Sequence, residues 1–510
     1  MLKKESLSKS SFSNLLTSLI AKAGNLIFTI ILARILMPDK FGMFSILISI
    51  VTIAFTIFDL GINQTFVKFY SEKNNIGEKE AHQYYLYLRK IKLKTTVLSL
   101  LSLAILSYPL SKYLFNNEEL FIPLLLSSMY LFTLLIDSFY SHFFIAVKKL
   151  NNNLIKETIN QLSRILIVIL IFLFLDEKYY LLGAVFSIII SSFLSIVYVL
   201  FNKNTNQKFN SFYPEHVIDK KEILKFSLFV ALVNIANSLL FYLDSIILGI
   251  FVEPSYVGYY RTAFSLVLGI TGLCMSPVLI ILPYLLELNL KKQIKILRTY
   301  TKLIALFTIP SSFALIVLGK YFIILFFGRA YLLAYYPLAI LSLLIFPQVM
   351  VSGLFYNIFA SKNSPKLFFR EILITTLLNI LLNLIVVTLL IRVSQTHAVI
   401  GASLACFISW MFYFISTYRV IKKKFNIDLD LIVLIKPILA SIVMSGLLYL
   451  TLEYFKDINL ITGFIEILIG VSVYFICLII LKFFDKNEIE NIKSILIKNK
   501  PKISLPLPNT

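Results

Sequence analysis

Three strongly basic side chains stand where a lipid bilayer makes charge expensive. Lys22, Arg164 and Arg261 each lie inside a long apolar run, as does Lys436, and an ionised group at mid-bilayer costs at least about 2.5–3.5 kcal/mol. Ammonium and guanidinium groups bind anions, and guanidinium meets two phosphate oxygens at once. The chemistry they point to is recognition of an anionic solute within the membrane. Lys22 lies beside a face of small and polar residues, Ser18, Ala21 and Asn25, which follow one another at spacings of three and four, so this face is suited to a wet cavity. Two readings stand for Lys22: contact with an anionic cargo, which that face favours, or pairing with an intramembrane carboxylate. Arg164, just after Asn160 and Gln161, meets either cargo or cytoplasmic headgroups. For Arg261, one turn in from the other side, cargo contact and outward snorkelling are evenly balanced. Lys436, next to Pro437 near a span boundary, reads as a topological anchor.

The deep carboxylates are Asp137 and Asp244. Asp244 lies two helical turns after Asn237 and forms a polar stripe with it and Asn234. Such a group either couples transport to H⁺ or Na⁺ or neutralises Lys22 or Arg261, and neutralisation is the preferred reading. Glu466 is assigned to holding the last helices or to lipid contact. Pro277, Pro283 and Pro347 interrupt helical hydrogen bonding, as ordinary membrane-helix kinks do.

Catalytic chemistry finds no foothold. Cys274, Cys406 and Cys477 form no CxxC pair, and His82, His142, His216 and His397 are scattered without an HExxH motif. There is no glycine-rich phosphate loop and no GxSxG elbow. No metal site and no cofactor are expected, apart from the H⁺ or Na⁺ alternative. The longest gap between apolar runs, about 63–94, is too short for a soluble domain. A membrane glycosyltransferase or polymerase needs a large outer loop bearing acidic or Arg residues, which disfavours that class. The first apolar run ends at Ala33-Arg34-Ile35-Leu36 without a small-residue cleavage site, so it is expected to be a retained helix.

The elements that must carry these charges are long apolar helices. Fourteen runs approach the ~20 residues needed to cross ~30 Å of hydrocarbon, giving an all-α integral membrane protein. Of 48 Lys and Arg, 36 fall in the terminal tails and alternate gaps and 8 in the opposite gaps. Basic residues resist translocation, so the rich side is cytoplasmic and both termini lie inside. The formal charge of +21 is thereby spread over short loops such as Lys422, Lys423 and Lys424, facing anionic lipid. Membrane lipids are the implied partners; nucleic acid is not.

Internal echoes divide the chain. Pro38 to Phe44 and Pro254 to Tyr260 are similar short turns, Lys156-Glu157 matches Arg370-Glu371, and Gly183-Ala184 matches Gly401-Ala402, at offsets of 216, 214 and 218. Two six-helix lobes follow, 1–202 and 203–425, with two extra helices and a tail over 426–510. Six is even, so the lobes are parallel repeats with a central cavity between them, an arrangement suited to alternating access.

The turn from Ala33 to Phe44, with Arg34, Pro38 and Gly42, the Asp59-Leu60-Gly61-Ile62 segment, the Val257-Gly258-Tyr259-Tyr260 run and Gly401-Ala402-Ser403-Leu404-Ala405 resemble the polysaccharide-exporter branch of the multidrug, oligosaccharidyl-lipid and polysaccharide flippase superfamily. The resemblance covers essentially the whole chain, and Arg261 departs from the family's small or polar residue. It implies a transporter, not an enzyme. The implied activity is flipping of a polyprenyl-diphosphate-linked oligosaccharide across the bacterial cytoplasmic membrane for O-antigen (lipopolysaccharide) or capsule-like polysaccharide. Polysaccharide-assembly proteins are further implied partners. In that family Asp59 and Gly61 look structural. The alternative is a drug or cation antiporter of the same superfamily, which would use an acidic cavity and an ion-binding carboxylate such as Asp244.

Overall fold

A computed structural model describes residues 2–74, 77–202, 219–275, 278, 281–454 and 460–483. Its helices are α1 (Leu2–Asp59), α2 (Ile62–Asn74), α3 (Glu78–Pro109), α4 (Phe121–Ala146), α5 (Leu150–Phe174) and α6 (Tyr180–Phe201). They continue with α7 (Lys220–Phe251), α8 (Pro254–Met275), α9 (Ile281–Glu287), α10 (Leu290–Phe326), α11 (Tyr335–Leu341), α12 (Ile345–Val349) and α13 (Tyr356–Ser361). The last four are α14 (Pro365–Leu390), α15 (Gln395–Phe425), α16 (Ile435–Tyr454) and α17 (Leu460–Ile480). Among the described residues there is no strand. The protein is all-helical and built to span a membrane.

The fourteen expected spans do not emerge as fourteen separate helices. Twelve helices among the described residues are long and apolar enough to cross a membrane. The first, Leu16–Asn74, holds two expected spans joined across a kink, and α8, the expected eighth, is not among the twelve. The kink sits at Met37 (φ 58°, ψ 169°) because Pro38 excludes the α conformation from the residue before it. Pro277 and the side chain of Pro283 lie outside the described residues. Pro347 falls in α12, between a 3₁₀ turn at Ser342–Leu344 and a π turn at Met350–Phe355, so that span is irregular where its backbone lacks a donor.

Polarity is arranged inside out. On α5 the buried residues are Asn153, Lys156, Gln161, Arg164 and Val168, while Leu162, Leu166 and Leu170 point outward. On α14 Glu371, Thr375, Thr376, Asn379 and Asn383 are buried, and Leu373, Leu377, Leu381 and Leu384 are exposed. In water this pattern would be unstable; against hydrocarbon it turns the polar side chains inward and the apolar ones to the lipid.

The kinked α1 packs on α5 and, across the molecule, on α7 and α8. Two glycines make the α1/α8 approach possible at one end. A Cβ on Gly42 would collide with the Pro254 carbonyl, and one on Gly258 with the Pro38 carbonyl. The same turn is pinned by Arg34, whose Nε donates to the Phe326 carbonyl at 2.7 Å and whose Nη2 donates to that of Leu325, and by Tyr331 Oη, which donates to the Ala33 carbonyl at 2.7 Å. At the opposite end of α1, Leu60 (φ 50°) and Gly61 (φ 66°) form a left-handed turn. A Cβ on Gly61 would lie 2.5 Å from the Ser227 carbonyl of α7, and Ser227 Oγ donates to the Leu60 carbonyl. The helices α16 and α17 pack on α10 through Leu318, Met444, Leu448, Tyr474 and Leu478.

Candidate functional site

A cavity of about 270 Å³ is walled by α1, α4, α5, α6, α7 and α8. Lys22, Asn25, Arg164 and Arg261 all line it, together with Tyr130 and Tyr242. Residues 97 to 239 positions apart in sequence are thus brought to one space, and the three basic side chains share it.

Each cation is held by neutral groups. Lys22 lays its methylenes on Gly272, where a Cβ would be 3.2 Å from Cδ, and its Nζ donates to the Gly272 carbonyl at 3.1 Å. Arg164 is 9% exposed, its guanidinium 4.2 Å from the Phe28 ring centroid; Nη2 donates to Gln161 Oε1, and Nε has no partner. Arg261 lies 5.0 Å from the Tyr242 centroid and 5.5 Å from that of Phe264, and Nη1 donates to the Phe241 carbonyl at 3.4 Å. Among the described residues none of the three forms an ion pair. Cation–π contact stabilises a desolvated guanidinium by up to about 2 kcal/mol but leaves its charge uncompensated.

The deep carboxylates lie elsewhere. Asp137 accepts from Lys156 Nζ at 2.6 Å and from Ser195, a buried pair linking α4, α5 and α6. Asp244, 1% exposed, takes neither Lys22 nor Arg261 as an ion-pair partner; it accepts from Tyr260 Oη at 2.6 Å and Asn383 Nδ2 at 2.8 Å. Asn383 Oδ1 and the hydroxyls of Ser245 and Thr262 are buried without partners. Asp59 closes α1 and pairs with Lys92 of α3, which fastens the Leu60-Gly61 turn. Arg34, Pro38, Gly42 and Gly61 belong to the two α1 turns and not to the cavity. Lys436 donates to the Lys482 carbonyl at 2.9 Å, and Glu466 is buried and accepts from Thr451 at 2.8 Å.

Sequence reading missed several of these groups. Lys92 and Lys156 are 2% and 0% exposed, although hydropathy assigned them to cytoplasmic gaps. Tyr130 and Tyr242, two of 28 tyrosines, gave no signal. Asn379 and Asn383, an i, i+4 pair of amides in the Leu- and Ile-rich part of α14, were the available clue to the Asp244 cluster.

Comparison with known proteins agrees with this geometry. A family model described as "Polysaccharide biosynthesis protein" matches residues 7–289, more than half of the chain. The chain belongs to the polysaccharide biosynthesis protein family. Comparison with curated proteins yields no match. Among solved structures, this family member is similar to the lipid II flippase MurJ in an inward closed conformation, with a TM-score of 0.68, 18% identity, and 96% and 99% of the two chains covered. It is also similar to an inward-facing multidrug resistance MATE transporter, with a TM-score of 0.59, 12% identity, and 79% and 95% coverage. A third is a transporter of the same superfamily from Pyrococcus furiosus, described as having a binding pocket of reverse polarity, with a TM-score of 0.54, 12% identity, and 82% and 96% coverage. At such identities the likeness is one of fold. Family and fold together make this polysaccharide biosynthesis protein a membrane flippase or transporter of the multidrug, oligosaccharidyl-lipid and polysaccharide superfamily.

Proposed function

We propose that this family member flips a polyprenyl-diphosphate-linked oligosaccharide across the bacterial cytoplasmic membrane for O-antigen or capsule-like surface polysaccharide. The carrying observation is the cavity with three cations and, among the described residues, no carboxylate paired with them. Arg164 is buried without an ion-pair partner, which is unfavourable by several kcal/mol, and Lys22 and Arg261 present uncompensated charge to the same cavity, so a cargo bearing two or more negative charges completes the site. Diphosphate has that charge and the oxygens that guanidinium binds in pairs. A second cavity, about 330 Å³ and almost wholly apolar, lies between α10, α16 and α17; its wall includes Ile270, next to the Gly269 that lines the charged cavity. It offers an apolar chain a place beside the charged head.

In this reading 1–202 and 203–425 are the two rocking lobes, 426–510 an appendix, and both termini are cytoplasmic. The Gly42/Gly258 contacts close the outer end and the Gly61/Ser227 contact the inner end. Asp244, buried and held by the Tyr260 and Asn383 donors, serves as the group that takes up H⁺ or Na⁺. A cationic drug as cargo is disfavoured, because it would meet three like charges.

Purified protein in vesicles tests this. Lipid-linked diphosphate sugar should cross in native and Lys22→Arg protein, and cross at the rate of empty vesicles in Lys22→Glu. Asp244→Asn should retain binding and lose acceleration by an imposed H⁺ or Na⁺ gradient. Undiminished flipping by correctly inserted Lys22→Glu removes the cavity from the mechanism; export of a cationic dye with no lipid movement favours the antiporter reading.

A further inference from the structure

Arg164 forms no ion pair with Glu157 of its own helix. One turn and three residues earlier on α5, Glu157 Oε1 accepts from Gln161 Nε2 at 2.7 Å, and Gln161 Oε1 in turn accepts from Arg164 Nη2. An amide has one donor end and one acceptor end. With Glu157 occupying the donor end, the carbonyl end must face the guanidinium. Gly24 of α1 holds the amide from the other side: a Cβ there would lie 2.7 Å from Gln161 Oε1 and 2.9 Å from its Cβ and Cγ. Gln161 is 8% exposed and does not line the cavity.

We infer that Gln161, seated on Gly24, is a positioning residue: a neutral link that fixes the Arg164 guanidinium over Phe28 while keeping Glu157 from neutralising it. The inference rests on the proposed anionic cargo and adds the device by which the site keeps its charge. A carboxylate at 161 would hold the guanidinium as firmly and pair with it directly, so Arg164 would be in place but already compensated. Positioning and charge are thereby separable.

The test uses the full-length protein in nanodiscs, with farnesyl diphosphate as probe and farnesol as the tail-only control. Native protein should prefer the diphosphate. Gln161→Glu should weaken diphosphate binding about tenfold or more, the scale of one charge-assisted contact, and leave farnesol binding unchanged. The double variant Glu157→Gln/Gln161→Glu has the native total charge with the carboxylate moved onto Arg164; it should remain as weak. Glu157→Gln alone keeps an acceptor for the amide and removes a distant negative charge, so it should bind as well as native or better. Gly24→Ala, which displaces the amide, should shift affinity in the same direction as Gln161→Glu. Native affinity in the double variant, or a tenfold loss in Glu157→Gln, overturns the inference and leaves the proposed function standing. Equal binding of farnesol and farnesyl diphosphate by native protein overturns the proposed cargo and this inference with it.

Discussion

Replacing Gly42, which does not itself line the cavity, with alanine should pry apart one end of the molecule. The added methyl would fall inside the Pro254 carbonyl, a backbone atom that no rotamer change can clear. Relief requires α1 and α8 to separate at their turns, which also loosens Gly258 against Pro38 and the bonds from Arg34 to the end of α10. Overpacking of this kind costs about 1–3 kcal/mol. If closed and open arrangements of that end are in equilibrium, the open fraction rises by about 5- to 150-fold. Hydrogen–deuterium exchange of the protein in nanodiscs reads this directly: residues 34–44 and 252–260 should exchange faster, and residues 60–66 should not. Gly61→Ala should produce the mirror result, with added strain because Gly61 holds φ 66°. Gly446 on α16 has nothing within 4 Å of an added Cβ, so Gly446→Ala is the control. Exchange in Gly42→Ala indistinguishable from that control would refute the reasoning.

Three further outcomes follow from the charges. Lys92→Met leaves Asp59 buried alone and should lower stability by about 3–5 kcal/mol, whereas Asp59→Asn/Lys92→Met should recover most of it in thermal unfolding followed by fluorescence. Arg261→Gln should weaken farnesyl diphosphate binding about 10- to 100-fold and flatten its salt dependence, because one of three uncompensated charges is gone. Burial, then Glu119 and Glu253, push the Asp39 carboxyl up from its ordinary value, against the opposing pull of Lys40. A raised carboxylate penalises the closed turn when ionised, so closure should strengthen as pH falls through the raised value towards about 4 and weaken above it; exchange at 34–44 measures this, and Asp39→Asn should abolish the dependence.

How far the sequence could be read depended on whether a residue's meaning was local. Lys22, Arg164 and Arg261 stood out because a charge in an apolar run is anomalous whatever surrounds it, and they share a cavity. Lys92 and Lys156 did not, because helices α3 and α5 begin at Glu78 and Leu150, well before hydropathy rises. A window average cannot register that Asp59 or Asp137 stands ready across a helix interface. The same limit hid Gln161: its role lies in an amide orientation set by Glu157 and by the missing Cβ of Gly24. The count of fourteen spans is not confirmed: twelve helices qualify among the described residues, and one of them holds two expected spans because a kink at Met37 bends α1 without ending it.

The buried pairs also bear on how the chain is made. Asp59 leaves the ribosome 33 residues ahead of Lys92, and Asp137 leaves 19 ahead of Lys156. At about 5–20 residues per second, each carboxylate waits roughly 1–7 s for its cation. The early membrane segments can therefore enter the bilayer as charge-matched hairpins while translation continues. Asp244 must wait for Asn383, 139 residues later, so its pocket is completed only after most of the protein has been synthesised. Biogenesis would then assemble the amino-terminal half first and close the Asp244 pocket near the end.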